Sequence, residues 1–239
     1  MKDSRDLPTH IGIIMDGNGR WAIARGKTRS QGHLAGSQNL KRLMKYIFQR
    51  KIPYLSIYAF STENFKRDVQ EVNYLMNLFV QIFQKEFSFL KKEKIRVIFS
   101  GRQVGLPDEV IASMNQLEQD TAFGDRATLN ICLNYGGQDE IVDVTKKIAQ
   151  QVVDQTLSIA DITREVIEEN LYQSLPPLDF VIRTSGEQRI SNFMLWQSAY
   201  AEYYFPEVYF PDFNEVEFER ALTVYQNRNR RFGGTRDED

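Results

Sequence analysis

At 239 residues, with 42% hydrophobic and 26% charged residues, the chain is too apolar for a disordered protein and long enough to bury one large core. No apolar run reaches the ~20 residues needed to cross a bilayer, and the charged opening Met1-Lys2-Asp3-Ser4-Arg5-Asp6 is unlike a secretory signal; a cytoplasmic protein without a membrane span is expected. The net charge is −2, and two histidines with one cysteine leave no zinc cluster and no internal disulfide, so Cys132 in the apolar run 129–133 is expected to be a buried thiol.

The first apolar run, residues 11–15, reads as a buried strand. It opens into Asp16-Gly17-Asn18-Gly19-Arg20-Trp21-Ala22, whose glycines would let backbone N–H groups close on a phosphate. The loop satisfies Gly-x-Gly-x-x-Ala, but a dinucleotide site wants an acidic ribose ligand ~20 residues later and none occurs there. A P-loop also fails, because Trp21 stands where its first glycine belongs. Asp16 would be repelled by a bound diphosphate unless a hard divalent cation lay between them, and Mg2+ is held by one or two carboxylates plus phosphate oxygens and water. Taken alone, the same aspartate could equally cap a helix. Between Asp16 and Glu63 no acidic residue occurs, whereas Arg20, Arg25, Lys27, Arg29, His33, Lys41, Arg42, Lys45, Arg50 and Lys51 do. An electropositive surface and an anionic partner are expected.

Helical spacing follows over 34–50, then a strand over 54–60 and a helix over 72–92. In that helix Leu75, Leu78, Phe79 and Ile82 form one apolar stripe and Met76, Val80, Phe83 and Phe87 a neighbouring one. The arc is wider than packing on a sheet needs, which suits a helix buried on two sides at a subunit contact or one wall of an apolar tunnel. A strand over 96–99, a helix over 108–121, a strand over 128–133, helices over 139–153 and 162–175, and a strand over 180–182 come next. Pro176-Pro177 reads as a turn into that last strand. A final helix is expected over 214–228, opened by Asn214 with Glu217 three residues on, in the manner of a capping box. Such alternation predicts an α/β fold: a single domain over 1–239 with a mostly parallel central sheet flanked by helices. Ligands of such sheets sit at the carboxyl ends of the strands, here the loops after Met15, Phe60, Leu133 and Ile182.

His10 to Ala22, Arg29 with Gly32-His33, Ser61 to Arg67, Asn134 to Gly137, Arg183 to Phe193, Trp196 to Glu202 and Arg230 to Gly234 occur in the order and spacing of one family's motifs. Over nearly its whole length the chain resembles the cis-prenyltransferases of the undecaprenyl diphosphate synthase type. The resemblance implies an Mg2+-dependent enzyme that condenses isopentenyl diphosphate with an allylic diphosphate, along an apolar tunnel between sheet and helices. It places Asp16 as the essential metal aspartate and Gly17, Asn18, Gly19 and Arg20 as the allylic diphosphate loop. Arg29 and His33 would add positive charge or hydrogen-bond donors, and Trp21 would line the mouth, its face against an isoprenoid or a developing carbocation.

Ser61, Thr62, Glu63, Phe65 and Arg67 fall between the two substrates, with Asn64 in the family's catalytic position. A neutral amide is a poor base, so Asn64 is read as orienting substrate or a proton-accepting diphosphate oxygen; Glu63 and Arg67 could equally be a surface ion pair. Arg183, Arg189, Ile190 and Ser191 match the isopentenyl diphosphate clamp, and Glu202 the second metal carboxylate. Departures are Phe65 and Phe210 where Trp is frequent, Gly12 for Ala, Ser185 for Gly or Ala, and Gln188 for His. Adjacent aspartates, the mark of the all-helical trans-type synthases, are absent.

The resemblance further implies a homodimer in which residues 230–234 reach the partner's site, and leaves open a transient membrane contact for product release. Rival readings are a non-catalytic partner subunit, opposed by the intact Asp16 and Arg183 to Ser191 segments, and nucleic-acid binding, opposed by the lack of aromatics interleaved with the charges. No nucleic-acid partner is expected.

Overall fold

Short runs of β-branched and aromatic residues, buried on both faces, pair side by side into one sheet. In the computed structural model, which describes residues 7–228, the strands are β1 (His10–Ile14), β2 (Tyr54–Ser61), β3 (Ile95–Ser100), β4 (Ala127–Tyr135), β5 (Phe180–Arg183) and β6 (Glu202–Tyr204). Their order is β3-β4-β2-β1-β5-β6, with every neighbouring pair parallel. Parallel neighbours need crossovers, and these carry α1 (Asn18–Ile23), α2 (Arg29–Gln49), α3 (Val69–Gln81), α4 (Ser88–Lys92), α5 (Asp108–Thr121), α6 (Gly137–Val153) and α7 (Arg164–Asn170), with α8 (Glu215–Gln226) closing the described chain.

Alternate strand residues divide the core. Ile11, Ile13, Leu55, Ile57, Leu129 and Ile131 pack with Leu43, Met44, Ile47, Leu78, Leu117 and Phe218 from the helices. On the other face Ile14, Tyr58, Cys132, Tyr135, Val181, Phe193 and Met194 form a second cluster, which places Cys132 fully inside. A third, Val144, Ile148 and Leu171, joins α6 to the residues after α7.

Several boundaries differ from those expected, each for a local reason. Residues after Gly17 make the short α1, and α2 begins at Arg29 rather than at 34. Thr28 Oγ accepts the Gln31 N–H at 3.3 Å while Thr28 N donates to Gln31 Oε1 at 2.9 Å, a full capping box. The two helices cross so closely that a Cβ on Gly32 would lie 2.1 Å from the Asn18 carbonyl oxygen. Asp68 caps α3, accepting from Gln70 N and Glu71 N, so the helix begins at Val69, three residues before the expected start. That helix then widens into a π turn at Ile82–Glu86, where Phe87 N donates to Ile82 O at 3.0 Å, before α4 resumes. The helix expected over 162–175 shortens to α7, and Glu140 takes the freed Tyr172 N–H at 3.0 Å. Asn214 does cap α8, but the Glu217 side chain turns to Arg220 at 2.6 Å instead of closing a box.

One polar row crosses the sheet interior. Ser100 Oγ donates to Asn130 Oδ1 at 2.8 Å, Asn130 Nδ2 to Ser56 Oγ at 3.0 Å, and Ser56 Oγ lies 2.8 Å from His10 Nε2, while His10 Nδ1 lies 2.7 Å from the Pro176 carbonyl. Burial pushes His10 down to about 4, the Pro176 carbonyl and Asp179 opposing only in part. A histidine with a folded value below its unfolded one stabilises fully above about 6.5 and loses that contribution as pH falls toward 4, a change on the order of 3 kcal/mol. Urea midpoints measured from pH 7 to pH 4 are therefore expected to fall steeply for the native chain. They should fall less for His10→Asn; parallel curves would disprove the assignment.

Candidate active site

The carboxyl ends of β1, β2 and β5 and the starts of α1, α2 and α3 surround an open cleft of about 1050 Å³. Its floor is set where β1 ends. Gly17 follows with φ of 101°, a backbone that favours glycine, and a Cβ there would meet Ser185 Oγ at 2.1 Å. The first helical bond of α1 runs from Trp21 N to Gly17 O, so the N–H groups of residues 18–20 have no partner within the helix.

Asp16 lies between two guanidiniums: Arg183 Nη2 is 2.8 Å and Arg20 Nη2 3.1 Å from its oxygens. Burial alone would raise its carboxyl, but the Arg183 and Arg20 bonds and charges outweigh that and hold it below the usual carboxylate range. Arg183, whose side chain is 6% exposed, also donates from Nη1 to the Arg189 carbonyl and to Ser191 Oγ, each at 2.6 Å. Its fork is therefore engaged on protein atoms. It fixes Ser191 and Asp16, and the outward-facing cation of the expected clamp is Arg189, which is paired with Glu187. Glu187 also accepts from Arg20 at 2.9 Å, so one carboxylate links the two arginines assigned to the two substrates.

Across the cleft Glu71 gathers the rest. Its oxygens lie 3.1 Å from His33 Nε2, 3.2 Å from Arg67 Nη1 and 3.7 Å from Arg29 Nη1. Burial, only partly opposed by Glu71, pushes the His33 imidazole below its ordinary value. Asn64 Oδ1 accepts from Ser61 N at 3.1 Å and locks the 3-10 turn Thr62–Lys66.

Of the residues singled out in the sequence, Asp16, Gly17, Asn18, Gly19, Arg20, Arg29, His33, Ser61, Asn64, Arg67, Arg183, Arg189 and Ser191 line this one cleft. The others lie outside its lining. Trp21 Nε1 donates to Asp212 at 2.8 Å, and Arg25 and Lys27 lie 4.6 and 5.1 Å from its ring centre, so its ring is engaged away from the cleft. Thr62 donates to Asp139 at 3.1 Å, Phe65 packs edge-on against Phe60, Ile190 joins the second core cluster, and Glu63 accepts from Asn192 at 3.0 Å.

Glu202 opens β6 opposite Phe180, three residues upstream of Arg183, about 10 Å back along the strands at ~3.3 Å per residue. Its carboxylate lies 3.9 Å from Arg228 and does not join Asp16 within this chain. Residues 230–234 lie outside the described residues. Sequence reasoning missed Tyr58, Glu71 and Glu187, which also line the cleft. Glu71 stands four residues after Arg67, the helical ion-pair spacing that could have revealed it.

Five arginines, Arg20, Arg29, Arg67, Arg183 and Arg189, face four carboxylates, Asp16, Asp68, Glu71 and Glu187, around this cleft. The formal excess is a single positive charge, too little for two diphosphates unless cations accompany them. The donor set suits such a cation. It offers one carboxylate, Asp16, held ionised in a polar cleft beside the glycine turn. Hard oxygens of this kind match Mg2+. Among the described residues no three His, Cys, Asp or Glu side chains converge as a complete metal cage, so remaining ligands would come from substrate and water.

Behind the cleft, between α2, α3 and the sheet, lies a cavity of about 70 Å³ lined by Leu40, Ile57, Leu75, Phe79, Ile82 and Phe83, among others. The apolar wall expected of the 72–92 stretch is thus in place, with Phe79 stacked on Phe83 at 6.0 Å and Phe83 edge-on to Phe99 at 5.1 Å at one end of the cavity. No helix among the described residues is long and apolar enough to cross a membrane.

Comparison with known proteins gives the same direction throughout. The family described as putative undecaprenyl diphosphate synthase matches residues 14–233. An isoprenyl transferase of Fusobacterium nucleatum is 44% identical over 233 residues, covering 98% of this chain and 99% of that protein. The ditrans,polycis-undecaprenyl-diphosphate synthase ((2E,6E)-farnesyl-diphosphate specific) of Pasteurella multocida is 45% identical, with 98% of each chain covered. Among solved structures, lavandulyl diphosphate synthase from Lavandula x intermedia in complex with dimethylallyl diphosphate superposes with a TM-score of 0.93 at 33% identity, covering 96% of this chain and 99% of that one. A probable undecaprenyl diphosphate synthase from Campylobacter jejuni gives 0.79 at 30% identity, with 98% and 100% covered.

Proposed function

Since the chain belongs to the undecaprenyl diphosphate synthase family of prenyltransferases, we propose that it extends farnesyl diphosphate by repeated cis addition of isopentenyl diphosphate to give undecaprenyl diphosphate. The observation that carries this reading is the Asp16–Arg183–Ser191 connection, which ties the glycine turn after β1 to the loop after β5 and so holds two anion-binding loops on either side of one carboxylate.

The allylic diphosphate fits the turn of residues 17–20, where the N–H groups without helical partners and Arg20 and Arg29 face it, while His33 Nε2 stays on Glu71. Isopentenyl diphosphate fits Arg189 and Ser191, exchanging Glu187 for its own oxygens. Mg2+ at Asp16, when bound, would neutralise charge on the departing diphosphate. The allylic C–O bond breaks, the isopentenyl double bond supplies the electron pair for the new C–C bond, and a proton leaves the carbon beside the cation to form the cis olefin. A neutral amide is a poor base, so Asn64 positions and a diphosphate oxygen accepts the proton. Holding both substrates in line and stabilising the departing charge are the chain's main contributions.

We assign the activity to the cytoplasm and to a homodimer, in which Glu202 would serve a cation only from a second copy's β6 edge. Incubation with farnesyl diphosphate and radiolabelled isopentenyl diphosphate should yield a long polyprenyl product that chelator abolishes. Absence of elongation in the presence of Mg2+ would overturn the proposal.

Product length provides a separate expectation. Phe79→Ala enlarges one end of the 70 Å³ cavity and should shift the product distribution upward by one or more five-carbon units. Removing a buried phenyl ring destabilises by about 3–5 kcal/mol, so thermal stability should fall as well. An unchanged product ladder would show that this wall does not limit the chain.

A further inference from the structure

The loop that would hold isopentenyl diphosphate has an unusual backbone. Ser191, Asn192 and Met194 all lie at positive φ, 46°, 65° and 41°, a region that side-chain-bearing residues seldom occupy and keep only where surrounding contacts impose it. The contacts that impose it converge on Asn192. Its carbonyl accepts Gly137 N at 2.7 Å, its Oδ1 accepts Gln138 N at 2.8 Å, and its Nδ2 donates to Glu63 Oε1 at 3.0 Å. Three loops thus meet on one side chain: the turn after β2, the start of α6 after β4, and the loop after β5. The fit is close, since a Cβ on Gly136 would lie 2.7 Å from Asn192 Nδ2. Tyr58 Oη, donating to the Tyr135 and Ser191 carbonyls at 3.1 and 3.3 Å, runs alongside.

We infer that Asn192 is a positioning residue for the second substrate: by capping α6 from outside and holding Glu63, it fixes the left-handed turn that presents Ser191 Oγ. The inference rests on the proposed isopentenyl diphosphate site. Asn192 is not itself among the residues lining the cleft and makes no bond to Arg183, so its effect passes through its neighbour Ser191, whose Oγ accepts from Arg183 at 2.6 Å. Loss of the Asn192 bonds would free the turn to relax to negative φ, and the Ser191 hydroxyl and Arg189 would leave the diphosphate they share.

Asn192→Asp separates this role from simple capping. It keeps an acceptor for Gln138 N but replaces the donor to Glu63 with a second carboxylate. The chain should remain folded, with KM for isopentenyl diphosphate rising at least tenfold and KM for the allylic substrate changing less than twofold. Glu63→Gln restores a donor and acceptor pair with the direction reversed, so in that background Asn192→Asp should change KM less than twofold. Equal effects in both backgrounds, or no change in KM for isopentenyl diphosphate, would overturn the inference. Should Asn192→Asp fail to fold, Glu63→Ala cuts the same bond from the other end and should raise that KM several-fold; an unchanged value would count against the coupling. Hydrogen exchange at the Gln138 amide, without substrate, gives an independent reading. Asn192→Gly, which tolerates the backbone, should speed it at least tenfold, and unchanged exchange would refute the hub even if the assigned reaction failed for other reasons.

Discussion

Asp16→Asn is expected to leave the fold intact and to lower kcat about a thousandfold, the scale on which removing a preorganised charge from a site of charge separation acts. The amide keeps a carbonyl oxygen facing Arg183 Nη2, so the guanidinium loses charge pairing but not its neighbour. Asp16→Ala is the harsher change. It strands Arg183, 6% exposed, without its carboxylate, and breaking a buried pair from one side destabilises by about 3–5 kcal/mol. The two variants therefore divide chemistry from stability. Both should lose turnover, whereas only Asp16→Ala should show a large drop in urea midpoint. Turnover measured against MgCl2 concentration completes the test, because loss of the cation's protein anchor should shift the half-saturating concentration upward. Activity of Asp16→Asn within tenfold of the native chain would remove Asp16 from the metal site.

Arg183→Lys should be nearly as damaging although the charge is kept. The guanidinium binds Asp16 with Nε and Nη2 and, with Nη1, both the Arg189 carbonyl and Ser191 Oγ. An ammonium has three donors and no planar fork, so it cannot reach these three sites on two sides at once. Ser191 and residue 189 would lose their common anchor. kcat/KM for isopentenyl diphosphate should fall about a hundredfold, corresponding to about 2.7 kcal/mol of transition-state stabilisation. KM for the allylic diphosphate should move far less. Steady-state kinetics with each substrate varied in turn distinguish this from general unfolding, which would depress both; equal changes in the two KM values would disprove the assignment.

Both sites were legible in the sequence to different depths. Five of the six strands were marked by their apolar runs, and their alternation with helices announced a parallel sheet covered on both faces. β6 was not, because Glu202-Tyr203-Tyr204 carries no apolar run and is a strand only by pairing with β5. Strand order was likewise invisible, since crossovers are chosen by packing between distant segments. The thirteen cleft residues found by motif are brought together as expected, yet the ionic character of the region was misjudged.

The stretch between Asp16 and Glu63 looks uniformly basic on paper. In space, acids from far along the chain answer it: Asp212 pairs Arg25, Glu86 pairs Lys41, Glu215 pairs Arg42 and Glu219 pairs Arg50. What survives as recognition is the set around Asp16, Glu71 and Glu187, where anions and cations interleave. Trp21 shows the same limit: its place in a motif gave no sign that Asp212, Arg25 and Lys27 would occupy it.

The π turn at Ile82–Glu86 records one extra residue in an otherwise regular rod. Each residue of an α-helix advances about 100° around its axis. Excising a single position there would close the ladder into ordinary spirals and swing everything beyond it by nearly a third of a revolution. Phe87 and Leu90, 2% and 0% exposed, would then be carried off the sheet and into water. The wide turn thus acts as a phase adjuster, letting one long strut present oily surface along its full length and reach the next strand in register.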